Sequence, residues 1–303
     1  MLHCTTGGAF LAKKEEKGVW WRYRFLERRA SMNENVLDYR RRPLPDFSRA
    51  RELRKGSRQY PIDLSHPLSR ERLVDIVDRF GIAGENYYHK TEGNPPYHGR
   101  IRGSIRKLLL RESVARRLFV VNERLRESGM ELFVYDAYRP VEVQDTCYLE
   151  WMPNDVRERH PEWDEERVSE EVRKFWGRGS DENGSVDPYS PPFHSTGGAA
   201  DLMIRDRKSG VLLPLGAGFD DFSETERAFT DHYERVRSSG KTLTFDEELA
   251  LGNRRMLYWV FSEEGFVNNP NEVWHFDLYD QLWAAIRSEE TAFYSIAFAP
   301  FVK

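Results

Sequence analysis

The sequence predicts an α+β fold, and two observations carry this prediction. Helix-like and strand-like hydrophobic patterns are interleaved along the 303 residues, and the links between strand-like segments look partly hairpin-like. Hydrophobic residues make up 39% of the chain, which is enough to bury a proper core. We therefore expect one main α+β domain, with or without an extension.

Composition divides the chain into an extension over residues 1–68 and a main domain over residues 69–303. Residues 1–60 contain 15 Lys and Arg against 7 Asp and Glu, whereas the whole chain has a net charge of −4. The break Pro43-Leu44-Pro45 lies in the same stretch. We expect the extension to be loosely ordered. The alternative is a basic arm that binds an acidic partner.

The main domain begins with apolar residues at helical spacing. This spacing predicts a helix over about residues 73–80, ended by Gly81. Residues 84–103 are rich in Gly, Pro and Tyr and predict a long loop. A second helix is predicted over residues 113–128, with Gly129 at its end.

Strands and helices alternate over the rest of the chain. The predicted elements are a buried strand over 131–136, a turn over 137–140, a helical insertion and loop over 150–190, a strand over 199–204, a helix over 247–264 and a last strand over 266–278.

Charge and composition exclude several classes of protein. Acidic and basic residues are mixed, so the chain as a whole does not suit nucleic-acid or membrane binding. No apolar run approaches the length of a membrane span, and the N-terminus lacks the pattern of a secretory signal. Only Cys4 and Cys147 are present, too few for a disulfide scaffold or a cysteine zinc cluster. We expect a cytoplasmic location.

One segment with a histidine and an aspartate suits a hydrolytic zinc site, which needs three ligands from His, Asp or Glu. Asp201 follows His194 by seven positions, and Gly197 and Gly198 between them allow a tight turn. A carboxylate at the start of an apolar strand is costly to bury without a metal or a charge partner. The alternative is an exposed loop histidine and an aspartate that closes a turn.

A second segment places a histidine and a glutamate close together. Strand alternation puts Trp274 and Phe276 on one face and His275 on the other, where it can point into a cleft. Glu272 lies in the loop that enters the strand, and an unbound glutamate near zinc can act as a general base. The alternative for His275 is a satisfied core histidine.

Arg139 follows the predicted strand over 131–136 and precedes Pro140. A guanidinium in this position can stabilise an oxyanion that develops at a peptide carbonyl. The alternative is an ordinary surface salt bridge.

Three motifs in order resemble a known family, the VanX-type D-alanyl-D-alanine dipeptidases of the zinc D,D-peptidase group. The motifs are His-x-x-Gly-x-Ala-x-Asp, Glu-x-Trp-His and Asp-x-Tyr-Arg-Pro, formed here by His194, Gly197, Ala199 and Asp201, by Glu272, Trp274 and His275, and by Asp136, Tyr138, Arg139 and Pro140. The resemblance runs from about residue 84 to 295. It implies a fold of the hedgehog/D,D-peptidase type, with a small central antiparallel sheet flanked by helices.

The resemblance also implies roles for single residues. These are one zinc ion on His194, Asp201 and His275, Glu272 as the base, Arg139 as the transition-state stabiliser and Asp220 as the partner of the substrate's amino group. The implied reaction is hydrolysis of D-Ala-D-Ala or a related dipeptide. Two alternatives are a D,D-carboxypeptidase that acts on longer wall peptides and a non-catalytic zinc-containing protein that binds wall fragments.

Overall fold

A computed structural model describes residues 35–221 and 225–298. The strands within these residues are β1 (Leu73–Asp75), β2 (Ala83–Gly84), β3 (Leu109–Arg111), β4 (Met130–Asp136), β5 (Ala199–Asp206), β6 (Val267–Asn268) and β7 (His275–Asp277). The α-helices are α1 (Ser48–Lys55), α2 (Ile76–Phe80), α3 (Glu112–Arg126), α4 (Val141–Thr146), α5 (Met152–Arg159), α6 (Glu165–Phe175), α7 (Thr225–Ala228), α8 (His232–Ser238), α9 (Phe245–Glu263) and α10 (Gln281–Arg287). None of these helices has the length and apolar character needed to span a membrane.

Five strands form the central sheet in the order β2-β4-β5-β7-β6, and β1 pairs with β3 in a separate two-stranded sheet. The fold is therefore α+β, as predicted. The central sheet is mixed rather than fully antiparallel, because β2 runs parallel to β4. Residues 85–129, which include α3, connect these two strands, and a connection of this length permits parallel pairing. The other strand pairs in this sheet are antiparallel.

Apolar side chains of the sheet and its helices form the main core. Cross-strand partners Leu132 and Ile204, and likewise Val134 and Leu202, are almost fully buried. Helix α3 adds a buried stripe at helical spacing, and α9 adds a second one. The stripe residues are Val114, Leu118, Val121 and Leu125 on α3 and Met256, Leu257, Val260 and Phe261 on α9.

Two predicted elements differ from the structure. Residues 73–80 form β1 followed by α2, because the Asp75 side chain accepts from the amides of Val77 and Asp78 and starts the helix there. Gly81 has a φ of +62° and follows the helix, as predicted. The predicted strand over 266–278 is two short strands, β6 and β7, which a turn separates.

A second apolar cluster lies outside the sheet. It joins the loop that carries Tyr88 and Tyr97 to the helical region over residues 141–176. A π-helical turn, Cys147–Trp151, links α4 to α5 within this region. Trp176, just after α6, is also buried in the cluster. That this region is an insertion stays a prediction.

Part of the predicted extension packs on the domain. Tyr39 is fully buried, and its hydroxyl donates to Glu263 on α9 and accepts from Arg124 on α3. On α1, Arg51 donates to both carboxylate oxygens of Asp231 at 3.0 and 2.9 Å. These contacts hold residues 38–55 against the main domain. The boundary at residue 68 stays a prediction, and residues 1–34 lie outside the described residues.

Candidate metal centre and substrate cavity

Two histidines and one aspartate converge on a single point. Ligand atoms of His194, Asp201 and His275 all lie within 4.8 Å of one another, and the three side chains are buried. His194 Nε2 is 3.2 Å from Asp201 Oδ2 and 3.1 Å from His275 Nδ1. His275 Nδ1 is 3.0 Å from Asp201 Oδ1. The structure thus brings together the three residues that the sequence singled out as ligands.

The register of the sheet produces this convergence. Asp201 on β5 is the partner of His275 on β7 and of Asp136 on β4. Directly opposite residues of antiparallel strands project from the same face of a sheet. His194 reaches the same point from a 3-10 helix, His194–Thr196, which Gly197 and Gly198 connect to β5.

Glycine is required at the turn between His194 and β5. Gly197 has a φ of +73°, and a Cβ there would lie 2.5 Å from a side-chain carbon of Leu73. At Gly198 a Cβ would lie 2.8 Å from the carbonyl oxygen of Leu278. Larger residues would displace the chain and separate the two ligands on either side of the turn.

Hydrogen bonds fix which imidazole nitrogens face the aspartate. His194 Nδ1 lies 2.8 Å from the carbonyl oxygen of Ala137, which can only accept, so Nδ1 carries the proton. His275 Nε2 lies 3.0 Å from Asp277 Oδ1 and donates to it in the same way. In the neutral rings, His194 Nε2 and His275 Nδ1 therefore point lone pairs at Asp201. Two lone pairs and a carboxylate repel one another unless a cation lies among them, and this donor set fits zinc.

The pKa shifts show the same preference for positive charge. Burial raises the pKa of Asp201, but the two neighbouring imidazoles outweigh it and hold that pKa well below the ordinary value. Burial lowers the pKa of His275, but the carboxylates of Asp277 and Asp201 raise it well above the ordinary value. Either a proton or a metal cation satisfies this arrangement.

Glu272 lies beside the three ligands. It belongs to the turn between β6 and β7, where its amide donates to the carbonyl of Asn269. Its Oε2 is 3.3 Å from His275 Nδ1, and its side chain is 32% exposed. Burial raises the pKa of Glu272, but His275 and the guanidinium of Arg54 lower it below the ordinary value. Glu272 is thus ionised at neutral pH and open to the cavity.

Arg139 is buried next to Asp201. Its Nε donates to Asp136 at 2.8 Å, Nη1 donates to Gln144 at 3.0 Å, and Nη2 is 3.5 Å from Asp201 Oδ2. The guanidinium also lies over the ring of Tyr88, 4.6 Å from its centroid. The surface salt bridge considered for this residue is therefore wrong, because the side chain is only 9% exposed.

Asp220 is held by two tyrosines. The hydroxyls of Tyr88 and Tyr97 both donate to Asp220 Oδ2, at 2.9 and 2.7 Å. Among the described residues no hydrogen bond is made to its other oxygen, Oδ1. Burial and the charge of Asp201 raise the pKa of Asp220 to about 7, against the lowering effect of these hydrogen bonds and of Arg139. Asp220 adopts a left-handed φ of +51°.

A buried arginine fixes the segment that carries Asp220. Arg254 on α9 is fully buried and donates to the main-chain carbonyls of Leu215, Arg227 and Phe229. These three bonds measure 2.6, 2.6 and 2.7 Å. Its guanidinium also lies 4.6 Å from the ring centroid of Tyr233. Both ends of the segment around Asp220 are thereby attached to α9.

All six residues singled out from the sequence line one cavity of about 610 Å³. They are Arg139, His194, Asp201, Asp220, Glu272 and His275. Sequence reasoning did not single out Tyr88, Tyr97 and Trp176, which form or border the wall around Arg139 and Asp220. Their only signal is composition: Tyr88 and Tyr97 lie in the Tyr-rich stretch 84–103 that is predicted as a long loop, and Trp176 lies in the predicted helical insertion and loop over 150–190.

Comparison with known proteins places the chain in a family of peptidases. Residues 98–294 match the model of peptidase family M15, which is described as D-ala-D-ala dipeptidase. The match covers more than half of the chain and includes the six cavity residues that the sequence analysis singled out, so the protein belongs to this family.

The chain is similar to proteins named D-alanyl-D-alanine dipeptidase from three bacteria. It is 30% identical to the Synechocystis sp. protein over 165 residues, which is 52% of this chain and 63% of that protein. It is 28% identical to the Escherichia coli protein over 151 residues, 50% of this chain and 56% of that protein. It is 25% identical to the Enterococcus faecium protein over 170 residues, which is 55% of this chain and 72% of that protein. The chain thus spans less than two thirds of the first two relatives.

Proposed function

We propose that the protein is a zinc-dependent dipeptidase that hydrolyses D-Ala-D-Ala or a closely related dipeptide. The convergence of His194, Asp201 and His275 on one point is the observation that carries this proposal. Membership of the peptidase family supports the reaction, and the names of the relatives support the substrate.

Zinc suits the donor set better than magnesium or calcium do. Two imidazole nitrogens and one carboxylate are typical of catalytic zinc, whereas magnesium and calcium prefer oxygen ligands throughout. His275 is oriented by Asp277, and His194 by the carbonyl of Ala137, as is usual for zinc-bound histidines. When bound, the ion supplies Lewis-acid chemistry to the peptide carbonyl and to water.

Glu272 is assigned the proton transfers. Its ionised carboxylate takes a proton from the attacking water and delivers it to the amine that leaves when the peptide bond breaks. Its position 3.3 Å from His275 keeps it within reach of the reacting atoms, and its exposed edge faces the cavity. Arg139, held by Asp136 and Gln144, stabilises the negative charge that develops on the carbonyl oxygen.

Asp220 is assigned the recognition of the substrate's free amino group. Tyr88 and Tyr97 hold Oδ2, and Oδ1, to which no other described residue donates, can accept from an ammonium. A substrate ammonium would stabilise the ionised form of this buried carboxylate, whose pKa burial and the charge of Asp201 raise to about 7. An acylated amine cannot provide this charge, and the site therefore selects dipeptides against N-blocked peptides.

The test combines metal analysis with a comparison of substrates. We expect one zinc per chain by elemental analysis, with rapid hydrolysis of D-Ala-D-Ala and slow hydrolysis of L-Ala-L-Ala and N-acetyl-D-Ala-D-Ala. Equal rates for the free and the acetylated dipeptide would instead indicate a carboxypeptidase. Stoichiometric zinc without hydrolysis of any dipeptide would indicate a binding protein.

The variant Glu272→Ala tests the assigned base. It should retain zinc, because Glu272 is not among the proposed ligands, and should lose a factor of about 10² to 10⁴ in kcat. Undiminished turnover by this variant would refute the role of Glu272.

A further inference from the structure

Arg54 brings a guanidinium to the cavity from outside the matched part of the chain. The residue lies on α1, whereas the family match begins at residue 98. It lines the same cavity as the three proposed ligands. Its Nη2 is 3.7 Å from Glu272 Oε1, and its Nε donates to Asn269 Oδ1 at 2.8 Å. Helix α1 therefore supplies a positive charge directly beside the proposed base.

The terminal nitrogens of Arg54 have donor capacity to spare. Its distance to Glu272 exceeds a hydrogen bond, and within residues 35–221 and 225–298 neither Nη1 nor Nη2 makes one. The side chain is 34% exposed, so these nitrogens are open to the cavity. Asn269 fixes the guanidinium through Nε, and the paired contact of Arg51 with Asp231 fixes the helix. A fork of this kind matches the two oxygens of a carboxylate.

Other cations of the cavity wall are engaged or lie at its surface. Lys55 pairs with Glu52, and Lys174 pairs with Glu171. Arg58 donates to two main-chain carbonyls, and Arg173 is exposed on α6. Arg54 differs from these because it stands next to Glu272.

The covalent structure of an α-amino acid places the C-terminal carboxylate of the substrate close to Glu272, the proposed base. Glu272 protonates the leaving amine, and the carboxyl carbon of the same amino acid is separated from that nitrogen by one Cα, a distance of about 2.5 Å. A group that binds this carboxylate must therefore neighbour Glu272. We propose that Arg54 binds the C-terminal carboxylate of the substrate. This inference rests on the proposed dipeptidase function and deepens it, because Asp220 and Arg54 then recognise the two charged ends of an unblocked dipeptide.

Kinetics with an amidated substrate test this assignment. Zinc-loaded wild type, Arg54→Gln and Arg49→Gln are compared on D-Ala-D-Ala and D-Ala-D-alaninamide. Arg49 is the matched control, because it is an exposed arginine on the same helix and does not line the cavity. Arg54→Gln should raise KM for the free acid by about 10- to 100-fold, change kcat little and leave KM for the amide unaltered. Arg49→Gln should behave as wild type.

An equal loss of activity of Arg54→Gln on the free acid and on the amide would overturn the assignment, because Arg54 would then act through Glu272 alone. A shift in the pH profile of Arg54→Gln without a difference in KM between the two substrates would also overturn it. Arg54→Lys provides a second variant that keeps the charge but not the fork, and it should show a smaller rise in KM for the free acid alone. Calorimetric binding of both ligands separates this question from turnover. If wild type hydrolyses neither D-Ala-D-Ala nor its amide, the proposed function fails. Equal binding of the acid and the amide by wild type would still refute Arg54 as the carboxylate site.

Discussion

Replacing Asp220 with asparagine is expected to stabilise the metal-free protein more strongly at pH 8 than at pH 5. The folded protein raises the pKa of Asp220 to about 7, chiefly through burial and the charge of Asp201. In the unfolded chain an aspartate has a pKa of about 3.9. Because the folded pKa is the higher one, ionisation destabilises the fold as pH rises from about 4 to about 7.

The size of the effect follows from the two pKa values. One pKa unit corresponds to about 1.4 kcal/mol, so asparagine should gain about 1.5 kcal/mol over aspartate at pH 5 and about 4 kcal/mol at pH 8. Urea unfolding of wild type and of Asp220→Asn in the presence of a chelator gives the difference in unfolding free energy at each pH. The histidines are the same in both proteins, so their titration cancels in this difference. A difference that stays constant between pH 5 and pH 8 would refute the argument. The same variant should lose affinity for D-Ala-D-Ala, since the ammonium loses its partner.

Three further substitutions test the site and the core. Arg139→Lys should keep the charge but lose the contacts of the guanidinium with Asp136 and Gln144, and kcat for D-Ala-D-Ala should fall by about 10²-fold in steady-state assays. Asp277→Asn should weaken zinc affinity by about 10- to 100-fold in competition with a chelator, because His275 loses its charged acceptor; unchanged affinity would exclude this orienting role. Leu118→Ala should cost about 2–5 kcal/mol of unfolding free energy in urea and leave zinc stoichiometry at one, since this fully buried residue belongs to the main core.

His194, Asp201, Glu272 and His275 could be singled out from sequence because they lie in short local patterns, and the family resemblance joined these patterns and added Asp220. Alternation along β7 determines that His275 points into the cavity while Phe276 packs in the main core. The paired glycines before β5 predict a tight turn after His194, and the structure shows why: Gly197 has a φ of +73°, and a Cβ at Gly198 would lie 2.8 Å from the carbonyl oxygen of Leu278. Such patterns extend over fewer than ten residues and are visible without a partner strand.

Other features depend on contacts between distant residues. Tyr88 and Tyr97 meet Asp220 across 132 and 123 positions of sequence, and no local spacing indicates that a loop aromatic will hold a carboxylate. The apolar spacing from Leu73 to Phe80 predicts a helix from its first residue, but pairing with β3 places Leu73–Asp75 in a strand. Strand β2 contains two residues, too few to show any periodicity, so its parallel pairing was hidden.

The anchoring of the Asp220 segment by Arg254 affects how this protein could be redesigned. The guanidinium donates only to main-chain oxygens, of Leu215, Arg227 and Phe229, so the anchor does not depend on which side chains those positions carry. A library that varies side chains between these anchor points therefore tests the proposed amino-group recognition while it keeps the anchoring bonds of Arg254. A change at Arg254 itself would remove the hydrogen bonds to all three of these carbonyls at once.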